Sequence, residues 1–285
     1  MKIANVAGRA TVVTGPGRGV DVASASAGAY GPGLPDLFRQ WGRFRAWAAG
    51  GTLESPEVTF TPEQLGPPSP RPLQVYAIGL NYRDHAAETG ADLPPEPLVF
   101  TKFQSSLTGP VTEVTLPTKT VDWEVELTVV IGLDAVNVPE ADVWDHVAGL
   151  TVGQDISERT LQLTGTPPQF SLAKSYPGFS PTGPYLVTPD ELGPADRLEI
   201  GCALNGVTVQ QSSTSQLIFS VPTLIAKLSA VTPLYPGDLI FTGTPGGVGI
   251  ARKPPKYLAP GDELVSYITG IGQLRQRFVA QEGKP

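Results

Sequence analysis

The stretch "VDWEVELTVV", residues 121–130, sets two glutamates inside a run that otherwise reads as a buried strand. Successive strand residues point to opposite faces, so Glu124 and Glu126 share one face while Trp123 and Val125 take the other. Leu127, Val129 and Val130 continue the apolar run. Two carboxylates side by side in a buried strand are costly unless a cation neutralises them. A hard divalent cation with oxygen ligands is one solution, and a purely structural pair is the other.

Other segments carry compatible chemistry. In "GLTVGQDISERTLQ", residues 149–162, Asp155 falls where a strand gives way to a turn. A third carboxylate there suits a Mg²⁺ or Mn²⁺ site, although a turn cap is the commoner use of such an aspartate. In "AIGLNYRDHAAETG", residues 77–90, a short helix over about 82–89 is expected, with Asn81 as its cap, Asp84 three residues on and Gly90 as its stop. His85 and Glu88 are three apart and share a helix face. A carboxylate beside an imidazole orients it and raises its basicity, which suits a general base. Standing alone, the pair would read as an ordinary surface contact. Lys174 is set in the apolar, Pro/Gly-rich segment "QFSLAKSYPGFSPTGP". It reads either as a holder of a carboxylate or enolate oxygen, or as a lysine snorkelling to the surface. The glycines of "FTGTPGGVG", residues 241–249, would let backbone N–H groups approach a ligand oxyanion. That loop matches neither a P-loop nor a dinucleotide-binding fingerprint. His146 and Cys202 read as structural.

Composition narrows the class. Lys plus Arg number 20 against 27 Asp plus Glu, a net charge of −7, which disfavours nucleic acid and anionic membranes as partners. A single cysteine excludes an intrachain disulfide framework. No apolar run reaches membrane-span length and the N-terminus carries no basic-then-apolar signal pattern, so a cytoplasmic protein is expected. The 32 glycines and 30 prolines fit many turns and short strands. The first 60 residues open with the strand-like "KIANV" and "ATVV". Then Leu37, Trp41, Phe44 and Ala48 recur at helical spacing up to Gly50. The stretch 61–72, with five prolines, is expected to link a small N-terminal domain (1–60) to a larger one (73–285). Strands dominate beyond it, and Asn205-Gly206 between alternating arms signals a hairpin. Further helices are expected only near 139–147 and 221–231. The expected class is therefore mostly β with few helices (α+β).

Taken together and in order, "GLNYRDHAAE", "DWEVELTVVIG", "GQDISERTLQ", "AKSYPGFSPTGP", "NGVTVQQSSTSQLIFSVPTLIAKLS" and "PGDLIFTGTPGGVG" resemble segments of the fumarylacetoacetate hydrolase family. The resemblance spans about residues 73–280. It implies a mixed β-roll catalytic domain, a homodimer and a divalent cation, Mg²⁺ or Mn²⁺ with Ca²⁺ possible. By motif it implies Glu124, Glu126 and Asp155 as metal ligands, with His85 and Glu88 as a water-activating pair. Lys174 would steady an enolate, and Arg159, Gln162, Gly243 and Thr244 would contact substrate. "GQDIS" departs from the commoner Asn-Asp form, and "QQSSTSQ" replaces a more acidic version. The implied activity is cleavage of a C–C bond in a small-molecule 2-oxo or β-dicarbonyl acid of the acylpyruvate or fumarylacetoacetate type. Decarboxylation of an oxaloacetate-like acid and isomerisation or tautomerisation of enol acids are the alternatives. A non-catalytic accessory role fits an intact set of residues less well.

Overall fold

The computed structural model describes residues 1–50 and 55–281; positions 51–54 and 282–285, inside the two expected domains, lie outside the described residues. Its backbone is a large mixed sheet. Across it run Glu57–Thr59, Arg18–Asp21, Arg9–Gly15, Lys2–Val6, Ser180–Val187, Val147–Gln154, Val125–Ile131, Leu239–Phe241, Val75–Gly79 and Leu98–Thr101. A second sheet holds Val207–Ser213, Glu199–Leu204, Glu263–Ile268, Gly272–Ala280 and Val111–Leu116 in that order. Most neighbours are antiparallel, but Leu239–Phe241 runs parallel to Val75–Gly79, and Val111–Leu116 runs parallel to Gly272–Ala280. The expected class, mostly β with few helices, is what the chain adopts.

The strand Val125–Ile131 lies near the middle of the large sheet, and every residue in it is buried. Its alternation decides the layers. Val125, Leu127, Val129 and Ile131 pack with Ile200, Leu264 and Phe278 of the second sheet. Val130, on the opposite face, packs with Leu37, Trp41 and Phe44 of the N-terminal helices. The helical spacing read over 37–48 resolves into two short helices, Leu34–Phe38 and Trp41–Ala49, and the second ends at Gly50. Burying the four aromatics of this cover, Phe38, Trp41, Phe44 and Tyr30, contributes about 1.5–3 kcal/mol per large side chain by area.

The N-terminal strands do not form a sheet of their own. Lys2–Val6 pairs with Ser180–Val187, and also with Leu65–Gly66 inside the proline-rich stretch. Within residues 61–72, read as a linker, Leu65–Gly66 is thus hydrogen-bonded to the large sheet, where Leu65 has an apolar cluster with Ala4 and Phe60 to bury into. The hairpin at Asn205-Gly206 forms as expected, with both residues at positive φ, 52° and 79°, as a two-residue primed turn demands. The three later helices expected form as Arg83–Thr89, Val143–His146 and Val221–Ser229, and a short fourth one, Arg159–Gln162, joins them. The strand Val111–Leu116 was not legible in advance, because its threonines and Glu113 dilute the apolar alternation.

Candidate active site

The stretch 121–131 is two strands rather than one. Val121–Asp122 pairs with Ser157–Glu158, while Val125–Ile131 pairs with Val147–Gln154 and Leu239–Phe241. Glu124 sits in the break between them. Its backbone is still fixed: its N–H donates to the Gln154 side chain at 2.9 Å, and its carbonyl accepts from the Asp155 N–H at 2.9 Å. Glu126 lies on the face of Thr128 and Val130, at the end of the strand beyond the helical cover. Asp155 follows directly on the strand that ends at Gln154. All three acids are buried, and one oxygen from each lies within 4.8 Å of the others.

The chain brings its own cations to this cluster. Lys174 Nζ donates to Glu124 Oε2 at 2.8 Å and to Asp155 Oδ2 at 2.6 Å. Lys102 Nζ donates to Asp155 Oδ1 at 2.5 Å. Arg159 places Nη1 2.6 Å from Glu124 Oε1, and its Nε donates to Asp122 Oδ2 at 2.9 Å. Glu158 caps the turn of helix Arg159–Gln162 that carries this arginine. Among the described residues Glu126 has no ion-pair partner; it accepts only the Gly243 N–H, at 2.7 Å. Burial opposes the ionisation of Glu124, but Lys174 and Arg159 outweigh it and hold the carboxyl down at about 2. Burial, with Asp155 and Glu124 nearby, pushes Glu126 well above the usual carboxylate range. Burial pulls Lys102 down, whereas Asp155 and Glu124 overcome burial and raise Lys174. Three converging oxygen donors, one of them unneutralised, fit a hard divalent cation.

His85 stands on helix Arg83–Thr89, with Nδ1 3.3 Å from Glu88 Oε2. Tyr82 rather than Asn81 is the N-cap of that helix. Asn81 is spent elsewhere: its Nδ2 donates to the carbonyls of Phe219 and Thr242, and its Oδ1 accepts from the Phe219 N–H. The glycine-rich loop also departs from its expected use. Gly243 N–H serves Glu126, Gly247 N–H serves both oxygens of Glu88 at 3.0 Å, and Gly249 N–H serves Asp122 at 2.7 Å. These donors hold the chain's own carboxylates, and the Gly243 N–H supports Glu126, a proposed ligand. At Gly243 φ is +100°, and a Cβ would come 2.8 Å from Asn81 Cβ, so the position demands glycine.

A cavity of ≈ 190 Å³ opens against the cluster and is lined by His85, Glu124, Arg159, Gln162, Lys174 and Thr244, with Gly79, Ile78, Leu80, Phe100 and Phe170 completing it. Thr244 donates its hydroxyl to the Val125 carbonyl at 2.9 Å and accepts from Gln210 Nε2. Arg159 Nη1 also donates to Gln162 Oε1 at 2.8 Å. Glu126, Asp155 and Glu88 are not part of this lining. His146, bonded to the Asp134 carbonyl, and buried Cys202 are away from the cavity. Two members of the cluster escaped the sequence reading. Asp122 is the second residue of the quoted stretch and shares the parity of Glu124 and Glu126. Lys102 stands in "PLVFTKF", a lysine in an apolar run, the same signal that singled out Lys174.

Buried acids balanced against lysines and an arginine thus stand beside a small cavity that His85 also lines. The chain belongs to the fumarylacetoacetate hydrolase family: the profile of the fumarylacetoacetate (FAA) hydrolase C-terminal region matches residues 74–279. It is 43% identical over 229 residues to human "Oxaloacetate tautomerase FAHD2A, mitochondrial", covering 80% of this chain and 71% of that protein. A crystal structure of a Mycobacterium smegmatis protein with the provisional name HpcE shares 56% identity over 99% of this chain and 100% of that one, at a TM-score of 0.94. Maleylpyruvate hydrolase from Sphingobium sp. SYK-6, solved with manganese(II) and pyruvate, is 27% identical over 99% of this chain and 100% of that one, at a TM-score of 0.80.

Proposed function

We infer that the protein interconverts the keto and enol forms of a short 2-oxo acid of the oxaloacetate type. The observation that carries this reading is that His85 and Lys174 line one small cavity together with Glu124. Glu124, Glu126 and Asp155 are the residues that would hold a divalent cation, which when bound supplies Lewis-acid polarisation of the 2-oxo group. His85 takes the proton from the carbon beside that group and returns it in the reverse direction. Lys174 is kept protonated by Asp155 and Glu124, so it acts as a donor to the developing enolate oxygen, not as a base. Interconversion moves only protons and needs no attacking water. The name of the human relative supports the same reaction.

C–C hydrolysis, the activity first implied by the resemblance, stays as the second reading. The 3.3 Å contact between His85 and Glu88 favours it, since such a pair can orient and deprotonate a water. That water would add to the distal carbonyl, and the C–C electron pair would pass to the 2-oxo fragment as an enolate, to be protonated to the keto acid. The test uses protein stripped with a chelator and reloaded with Mg²⁺ or Mn²⁺. Loss of the enol absorbance of oxaloacetate is compared with cleavage of acetylpyruvate. Acceleration of the first alone supports the tautomerase reading, and cleavage of acetylpyruvate moves the assignment to the hydrolase. Failure of both with either metal rejects the two together.

A further inference from the structure

The cavity has a polar half and an apolar half. Besides Glu124, Arg159 and Lys174, its lining holds Ile78, Leu80, Phe100 and Phe170. Phe170 meets Phe100 edge-on, with ring centroids 5.6 Å apart, and the Phe170 carbonyl accepts the Lys174 N–H. Lys174 Nζ in turn lies 5.2 Å from the Phe100 ring centre. The aromatic wall is thereby tied to the lysine of the polar half. Leu80 is held at a φ of +50°, a conformation uncommon for any residue but glycine or asparagine. The three hydrogen bonds of the next side chain, Asn81, fix the backbone there and keep the leucine on the cavity wall. The space left, ≈ 190 Å³, is below the roughly 300–1,000 Å³ of sites that take drug-sized ligands.

We propose that Leu80 and Phe170 form a length gauge at the apolar end of the cavity, admitting a short 2-oxo acid and rejecting one whose chain runs on past the oxo group. The gauge rests on the 2-oxo acid reading above and specifies the substrate class within it. An acid headed into the polar half directs its remaining carbons at these two side chains. Each further methylene then has to displace these side chains, and an apolar pocket discriminates by about tenfold or more per group.

Binding measures the gauge apart from turnover. Protein loaded with Mn²⁺ is titrated calorimetrically with pyruvate, 2-oxobutanoate, 2-oxopentanoate and 2-oxooctanoate. The expectation is at least about a tenfold loss of affinity between 2-oxobutanoate and 2-oxooctanoate. Phe170→Ala, and independently Leu80→Gly, which suits the positive φ, should shrink that ratio by a similar factor. Equal affinity along the series in the unaltered protein overturns the gauge. So does an unchanged ratio, or an equal loss at every chain length, in both variants. If no 2-oxo acid binds at all, the 2-oxo acid reading itself fails and the gauge fails with it.

Discussion

Two regions of this molecule use the same pairing of carboxylate and cation to opposite ends. At the N-terminal end of the large sheet, Asp21 receives Arg9 through two hydrogen bonds of 2.8 and 2.9 Å and caps the turn Val22–Ala25 through the Ser24 N–H. Arg9 is 51% exposed, so water screens the pair and little is at stake. In the middle of the same sheet, Glu124 and Asp155 meet Lys102, Lys174 and Arg159 where every side chain is nearly sealed from solvent. Desolvation there is expensive, and a buried ion cluster is weak as a stabiliser. The outer pair is cheap and closes a turn. The inner cluster costs stability and gathers charge where a ligand can use it.

The strongest way to break this contrast is to change one inner carboxylate. Asp155→Asn leaves Lys102 and Lys174 short of their shared partner, and removing one member of a buried pair costs roughly 3–5 kcal/mol. Urea denaturation of the metal-free protein should show a loss on that scale, and Mn²⁺ binding by calorimetry should vanish. A loss no larger than that of a surface substitution would mean that the cluster is better solvated than its geometry implies.

His85→Ala comes next. It leaves the three acids untouched, so Mn²⁺ should still bind, while oxaloacetate interconversion falls on the order of 10²–10⁴-fold. An unchanged rate would remove His85 from the proton transfer.

Glu126→Gln sharpens the contrast within the cluster. Glu126 lacks an ion pair and its carboxyl is pushed upward, so the amide keeps the shape and strands no lysine. Stability of the metal-free protein should stay level or rise in the same urea experiment, while Mn²⁺ binding weakens. A stability loss matching that of Asp155→Asn would show that Glu126 is paired after all.

The smallest effect belongs to the outer pair. Asp21→Ala should cost about 1 kcal/mol, the usual worth of a cap. The Arg9 hydrogen bonds lower the Asp21 carboxyl from 3.8 to about 2, with burial opposing and the Ser24 N–H assisting. A carboxyl depressed in the folded state adds stability above its unfolded value and loses it as pH falls through the folded one. The gap in melting temperature between the native chain and Asp21→Asn should therefore be fully open above about pH 4 and close toward pH 2. A gap independent of pH would assign the effect to packing.

Much of the site was legible in local patterns. The i, i+2 spacing of Glu124 and Glu126, the strand-ending Asp155 and the i, i+3 pair His85 and Glu88 are statements about one strand or one helix, and periodicity fixes which side chains share a face. The hairpin at Asn205-Gly206 was legible for the same reason: a two-residue turn with positive φ restricts its residues. What only the tertiary structure decided involves partners far apart in the chain. Lys102, Lys174 and Arg159 meet the acids from three different segments, and the glycine loop gives its N–H groups to Glu126, Glu88 and Asp122 across more than a hundred residues. Spacing along a chain carries no record of such meetings. They follow from the cost of leaving a buried charge or N–H unpaired, which can be reckoned only once the fold has decided what is buried.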